Sequence, residues 1–198
     1  MTMVTQLERS RGTRAALCEA GRELFTERGF AAVGIEEIIT RAGVSRGALY
    51  HHFDGKTALF TTIVEDIEAS VSAAAIDRMA KVADPIDALL AGIRAVFDLC
   101  MDPVVLRLSF IEAPAVLGWS RWRELCERNS LGLLTDYLKR AMDSGRVPPR
   151  PVAPIAHLLH AASVELILLM ANSPHPLRAR RESEREMTRL VQGLTVPV

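Results

Sequence analysis

Residues 42–56 read "AGVSRGALYHHFDGK". Gly43 marks the end of one helix, because glycine enters the left-handed conformation that stops a helix without steric cost. Ser45, two residues on, is a good N-cap for the next helix. Val44 stands between them as the apolar residue of the turn, placed to pin the two helices together. The stretch therefore reads as the joint of a helix-turn-helix. Its second helix runs to about Phe53 and carries four adjacent rings: Tyr50, His51, His52 and Phe53.

Those rings divide by angle. With Arg46 at 0° and about 100° per residue, Leu49 and Phe53 fall together near 320°. They form the buried face. His51 lies opposite, between Gly47 and Ala48, while Tyr50 and His52 occupy the flanks. A helix in a major groove turns its far face to base edges and its flanks to the phosphate walls. Gly47 and Ala48 are small enough for close backbone approach. His51 is the ring expected to meet bases, and Tyr50 and His52 have polar tips suited to phosphate oxygens. Arg46, at the helix start, is expected to reach a guanine edge or a phosphate. Lys56 falls in the first turn of the following helix, where its ammonium and the free N–H groups suit an anion.

Outward from this joint the spacing is helical almost everywhere, with no strand-like alternation of useful length. Residues 11–28 place Leu17, Ala20, Leu24 and Phe25 on one face, and Gly29 stops that helix. A short helix covers 35–42, with Gly34 at its start. Asp54 is placed to cap a long helix, and Asp84-Pro85 and Asp102-Pro103 each begin another. The helix from Pro103 has no clear end before Pro114 and Gly118. Further helices are expected over about 120–144, 152–172 and 177–193. The fold class is all-α, with about nine helices. A helix-turn-helix domain at 1–56 precedes a larger domain at 57–198.

The string "GFAAVGIEEIITRAGVSRGALYHHFDGKTALF" resembles the N-terminal domain of TetR-family transcriptional regulators. The matching residues are Gly29-Phe30, Ile38, Ala42-Gly43-Val44-Ser45, Gly47, Leu49-Tyr50, His52-Phe53, Lys56 and Leu59. The resemblance covers about residues 11–60. It implies phosphate contacts for Tyr50 and His52, and DNA-facing positions for Gly34 and Ser45. Two positions depart from the pattern. Gly34 stands where the family commonly has Thr or Ser, so a hydroxyl contact is lost although the N–H remains available. Ile39 stands where it usually has alanine.

Composition sets limits. Of 198 residues, 49% are hydrophobic and 5% aromatic, so an ordered chain with an aliphatic core is expected. Lys+Arg and Asp+Glu balance at 24 each, so DNA binding needs a local concentration of positive charge. Arg9, Arg11 and Arg14 provide one, clear of acids over residues 9–18. They serve equally as a minor-groove arm or as a solvated tail. Cys18, Cys100 and Cys126 are widely spaced and read as reduced thiols of a cytoplasmic protein. No apolar signal region opens the chain, and "IAHLLHAASVELILLMA" (155–171) reads as a core helix, with no membrane partner expected.

The helix at 152–172 is apolar nearly all round, so a second subunit is the economical cover for one side. Leu158, Leu159, Ala162, Leu166 and Leu169 are expected at a homodimer interface, with Leu190 and Leu194 of the last helix. Two recognition helices one DNA turn apart then read a palindrome. The family resemblance implies a small-molecule effector, and the available side chains suit an apolar or aromatic one. Phe97, Cys100, Met101 and Phe110 are candidate pocket residues, as are Trp119, Trp122, His157 and His160. His157 and His160 at i, i+3 do not by themselves make a metal site. No cofactor, no metal and no enzyme chemistry is expected, since no nucleophile elbow, phosphate loop or carboxylate pair occurs. The expected function is a homodimeric repressor released from a palindromic operator by its effector. The alternatives are an activator of the same fold, or a helical ligand-binding protein or enzyme.

Overall fold

The computed structural model describes residues 2–195, and the side chains of residues 8–128 and 130–195. Helices follow one another as α1 (Thr2–Arg28), α2 (Ile35–Ala42), α3 (Arg46–His52), α4 (Lys56–Ala80) and α5 (Pro85–Leu99). Then come α6 (Pro103–Val105), a π-helical stretch (Leu106–Glu112), α7 (Ala113–Leu117), α8 (Trp119–Asp143), α9 (Val152–Ala171) and α10 (Pro176–Gln192). No strand occurs among the described residues. α1 begins well before residue 11, because Met, Gln, Leu, Glu and Arg dominate its early turns and no proline interrupts them.

The chain divides into two compact units. One contains the residues up to Ile67 together with Arg107–Trp122, and the other contains Glu68–Leu106 and the chain from Arg123 onward.

In the first unit, Leu17, Leu24, Phe25, Ile38, Leu49, Leu59, Phe60 and Ile63 form the core. Phe25, Phe30 and Phe60 meet with ring centroids 5.1 to 5.5 Å apart. Ile39 is buried without disturbing α2. Gly21 lets α1 approach α4 closely, since an added Cβ would stand 2.9 Å from the Ile63 side chain.

The π-helical stretch has a local cause. Pro114 has no N–H, so it cannot serve the Phe110 carbonyl in an α pattern or the Ser109 carbonyl in a π pattern. The Ser109 carbonyl accepts instead from the Trp122 indole N–H, at 2.6 Å. Glu112, at the end of this stretch, accepts the Phe30 N–H at 3.1 Å, and Arg107 donates to the Glu27 carbonyl. The segment is thereby tied to the α1–α2 turn. Gly29 is required there: its φ is 81°, and a Cβ would lie 2.7 Å from a Glu112 carboxylate oxygen.

In the second unit, Asp84 and Asp102 cap α5 and α6 through their carboxylates. Asp84 also receives Arg146 at 2.7 Å. Arg94 and Arg180 of α5 and α10 converge on Glu184, and Arg180 also reaches Asp98. α9 is buried on one face by Ile155, Ala156, Leu159, His160, Ile167 and Met170. Its other face is open, with Leu158 68% and Leu169 52% exposed. Leu159 is thus corrected from the expected interface to the interior, because it lies on the inner side of the wheel with Met170. On α10, Met187 and Val191 face inward and Leu177 and Leu190 outward, while Leu194 is half-buried in the turn beyond it.

Candidate nucleic-acid interface

The turn between α2 and α3 is a Schellman motif. Gly43 sits at φ 66°, its N–H donates to the Thr40 carbonyl, and the Val44 N–H reaches back to the Ile39 carbonyl. Ser45 then starts α3, its Oγ accepting the Ala48 N–H at 3.2 Å. The two caps leave α2 and α3 few ways to pack, and Leu49 and Phe53 seat α3 on the core.

On the opposite side of α3, Arg46, Gly47, Tyr50 and His51 are exposed, and Ala48 and His52 are half-buried. The small residues leave the surface open: a Cβ on Gly47 would meet only the Ser45 hydroxyl, at 3.9 Å. Tyr50 is 48% exposed, with the Arg46 guanidinium over its ring at 5.8 Å. The His51 and His52 rings meet edge to face at 5.0 Å. One helix face thus gathers a guanidinium, a phenol and two imidazoles.

Arg46 is paired across the turn. Its Nη1 lies 2.5 Å from the Glu36 carboxylate of α2. Both groups are largely exposed, so the pair is weak and a phosphate is a competitive replacement. Arg28–Glu37 and Arg41–Glu23 form similar pairs at 2.6 and 2.8 Å. These pairs engage three of the carboxylates near the helix-turn-helix, including both on α2. Arg9 and Arg11 are exposed on α1, and Arg14 lies over the Phe53 ring.

Three sequence expectations are amended. The Gly34 N–H is not available to an anion, because it donates to Glu37 Oε1 at 3.0 Å. That bond, with Arg28 second, holds the Glu37 carboxyl below its ordinary range. The signal was present in the sequence: a glutamate at the third helical position is the returning half of a capping box. Asp54 lies one residue too early to cap α4, and Gly55, at φ 93°, occupies that position. Lys56 donates to the Phe30 and Val33 carbonyls, at 2.8 Å each, and sits 4.2 Å from the Phe30 ring centroid. One of its three donors is left for a phosphate. Its alignment with the α1–α2 turn depends on contacts more than twenty residues apart, which no local pattern announces.

The expected pocket residues are distributed between the two units. Phe110 and Trp122 are buried in the first, and Trp119, 59% exposed, packs on Trp122 from outside. Trp122 is fixed by its bond to Ser109. In the second unit Phe97, Cys100 and His160 are buried, Met101 is half-buried, and His157 is exposed. Trp119 and His157 are therefore surface residues of this chain. His160 Nδ1 lies 3.0 Å from Ser130 Oγ. Among the described residues no group of three or more His, Cys, Asp or Glu is placed to hold a metal.

A capped helix-turn-helix followed by a long-helix body defines a class of bacterial regulators, and the comparisons agree. Residues 17–63 match the family of bacterial regulatory proteins, tetR family, and residues 86–194 match the tetracyclin repressor-like C-terminal domain. The chain belongs to the TetR family. It is 33% identical over 85 residues to the HTH-type transcriptional activator FasR of Mycolicibacterium smegmatis, covering 43% of this chain and 39% of FasR. It spans about half the length, or less, of the first curated relatives it matches. Its fold is that of a TetR-family transcriptional regulator from Pectobacterium atrosepticum, with TM-score 0.83, 24% identity, and 96% and 97% of the two chains covered. RolR in complex with resorcinol is also similar in fold, with TM-score 0.71, 19% identity, and 97% and 98% coverage.

Proposed function

We propose that this chain is a sequence-specific, homodimeric transcriptional repressor that a small ligand releases from a palindromic operator. The observation that carries this is the exposed face of α3, where Arg46, Gly47, Tyr50 and His51 stand open beside half-buried Ala48 and His52 while Leu49 and Phe53 lock the helix below. His51 reads base edges, with Gly47 and Ala48 admitting the backbone. Tyr50, His52, Ser45 and the free donor of Lys56 hold phosphates, and Arg46 exchanges Glu36 for DNA. Gly34 acts here only by close backbone approach.

Residues 1–56 form the DNA-reading domain and 57–198 the effector and dimer domain. Leu158, Ala162, Leu166 and Leu169 of α9, with Leu190 of α10 and Leu194 just beyond it, cover one another across the dimer. The effector is apolar or aromatic and contacts Phe97, Cys100 or Met101 in the second unit, with His160 as a polar neighbour. The RolR complex with resorcinol supports a small aromatic ligand for this fold. α4 carries the change of shape, since this one helix contributes residues to both compact units. Effector and DNA then weaken each other's binding equally. The protein acts in the cytoplasm and is not an enzyme.

FasR is named an activator, which gives a second reading: activation through the same DNA contacts. Transcription in vitro from a promoter beside the chain's own gene separates the two. Repression lowers the transcript and effector restores it, whereas activation raises it. Simultaneous binding of DNA and effector with unchanged affinities contradicts the release mechanism.

A further inference from the structure

The turn between α1 and α2 is held mostly by side chains. Inside it, the Val33 N–H donates to the Phe30 carbonyl over a long 3.4 Å. Arg28 donates to the Ala32 carbonyl at 3.0 Å, and the Gly34 N–H donates to Glu37. The Phe30 backbone is gripped from two distant parts of the chain. Lys56, the first residue of α4, donates to its carbonyl at 2.8 Å, and Glu112 accepts its N–H at 3.1 Å.

Glu112 is closely fitted to this turn. A Cβ on Gly29 would lie 2.7 Å from its Oε1, so the carboxylate rests against the backbone itself. Arg107 donates to the Glu27 carbonyl at 3.4 Å, where the carbonyl end of α1 favours a cation. The Arg107 Nε stands 3.7 Å from Glu112 Oε1, and the Glu112 side chain is 20% exposed. Glu112 is 82 residues from Phe30 and lies outside the residues, 17–63, that match the regulator family.

The turn decides where α2 begins. α2 starts at Ile35, and the joint from Gly43 to Ser45 fixes α3 upon it. A swing of the turn is therefore carried through both helices to Tyr50 and His51. Side chains that read a partner must be held to about 0.5 Å, by groups that are themselves held. We infer that Glu112 is a positioning residue for DNA reading, acting through the Phe30 N–H to set α2 and α3. This rests on the reading of α3 as the helix that meets DNA. The reach of the acceptor oxygen matters here, and the charge does not, because a carboxylate adds nothing to attraction for phosphates.

The test separates reach from charge. Fluorescence anisotropy of the full chain compares DNA flanking its own gene with a scrambled duplex, at a temperature where circular dichroism shows each variant folded. E112A removes both the acceptor and the charge, and is expected to lose about tenfold in affinity for the native sequence. Its affinity for the scrambled duplex should stay within about twofold of wild type, since phosphate attraction supplies non-specific binding. E112Q loses the same charge but presents an amide oxygen at the same reach, and should bind the native sequence within about twofold of wild type. E112D keeps the charge, falls one methylene short, and should resemble E112A. Hydrogen exchange at the Phe30 amide should quicken in E112A and E112D and stay slow in E112Q.

Should E112A fail to fold, E112D against E112Q decides. The inference is overturned if folded E112A binds the native sequence as wild type does, if both duplexes lose affinity equally, or if E112D binds better than E112Q. Wild type preferring the native sequence alongside any of these results leaves the regulator reading standing. Wild type with no preference between the duplexes defeats that reading, and this inference with it.

Discussion

At the scale of single residues, the rings of α3 make separable predictions. H51A should change which base the protein prefers at one or two operator positions, while Y50F should weaken all sequences alike. Binding to a randomised operator library checks both, and an unchanged preference for H51A would contradict the assigned rotation of α3. Lys56 should behave differently from a simple phosphate contact. K56M removes two charge-assisted bonds to the Phe30 and Val33 carbonyls, and is expected to cost about 2 kcal/mol of stability as well as DNA affinity. Urea denaturation of the full chain measures this, and unaltered stability would return Lys56 to a purely DNA-facing role. The seats of Leu49 and Phe53 are legible from sequence, because helical periodicity is a local property. The partners of Lys56 and Arg46 are not, since each lies on another element that only tertiary packing brings near.

At the scale of elements, the helix-turn-helix reads directly from its punctuation: Gly43, Val44 and Ser45 specify a stop, a pin and a start. The segment 103–117 does not. Its two Pro residues and Gly118 mark interruptions, but the indole cap on the Ser109 carbonyl depends on Trp122 reaching back thirteen residues. W122F should leave the buried Ser109 carbonyl without that donor and cost roughly 1–3 kcal/mol. P114A restores an N–H and should shrink that cost. A double-mutant cycle by chemical denaturation reads the coupling, and additive effects would show that Pro114 and Trp122 do not share the Ser109 carbonyl.

At the scale of the whole molecule, the apolar pattern of 152–172 announces a buried helix. Its phase alone does not say which leucines turn inward, and for that reason Leu159, expected at the interface beside Leu158, lies in the interior while Leu158 is exposed. L158E with L169E should convert a dimer to monomers and abolish tight operator binding. Sedimentation equilibrium checks the first effect, and a doubly substituted chain that stays dimeric would place the interface elsewhere. His160 gives the fold a dependence on pH. Its folded pKa lies below the ordinary value of 6.5, so the unfolded chain binds the proton more readily. Its contribution to stability is complete above pH 6.5 and is lost as pH falls through the folded pKa. Comparing the melting temperatures of wild type and H160F at pH 7.5 and 5.5 should show a smaller loss in the variant. The most direct test of the regulator reading is fluorescence anisotropy with DNA from beside the chain's own gene, against a scrambled duplex, over a range of salt. The expected result is a clear preference for the native sequence, with affinity falling steeply as salt rises, through about 6–10 phosphate contacts per complex. Equal affinity for both duplexes would contradict it.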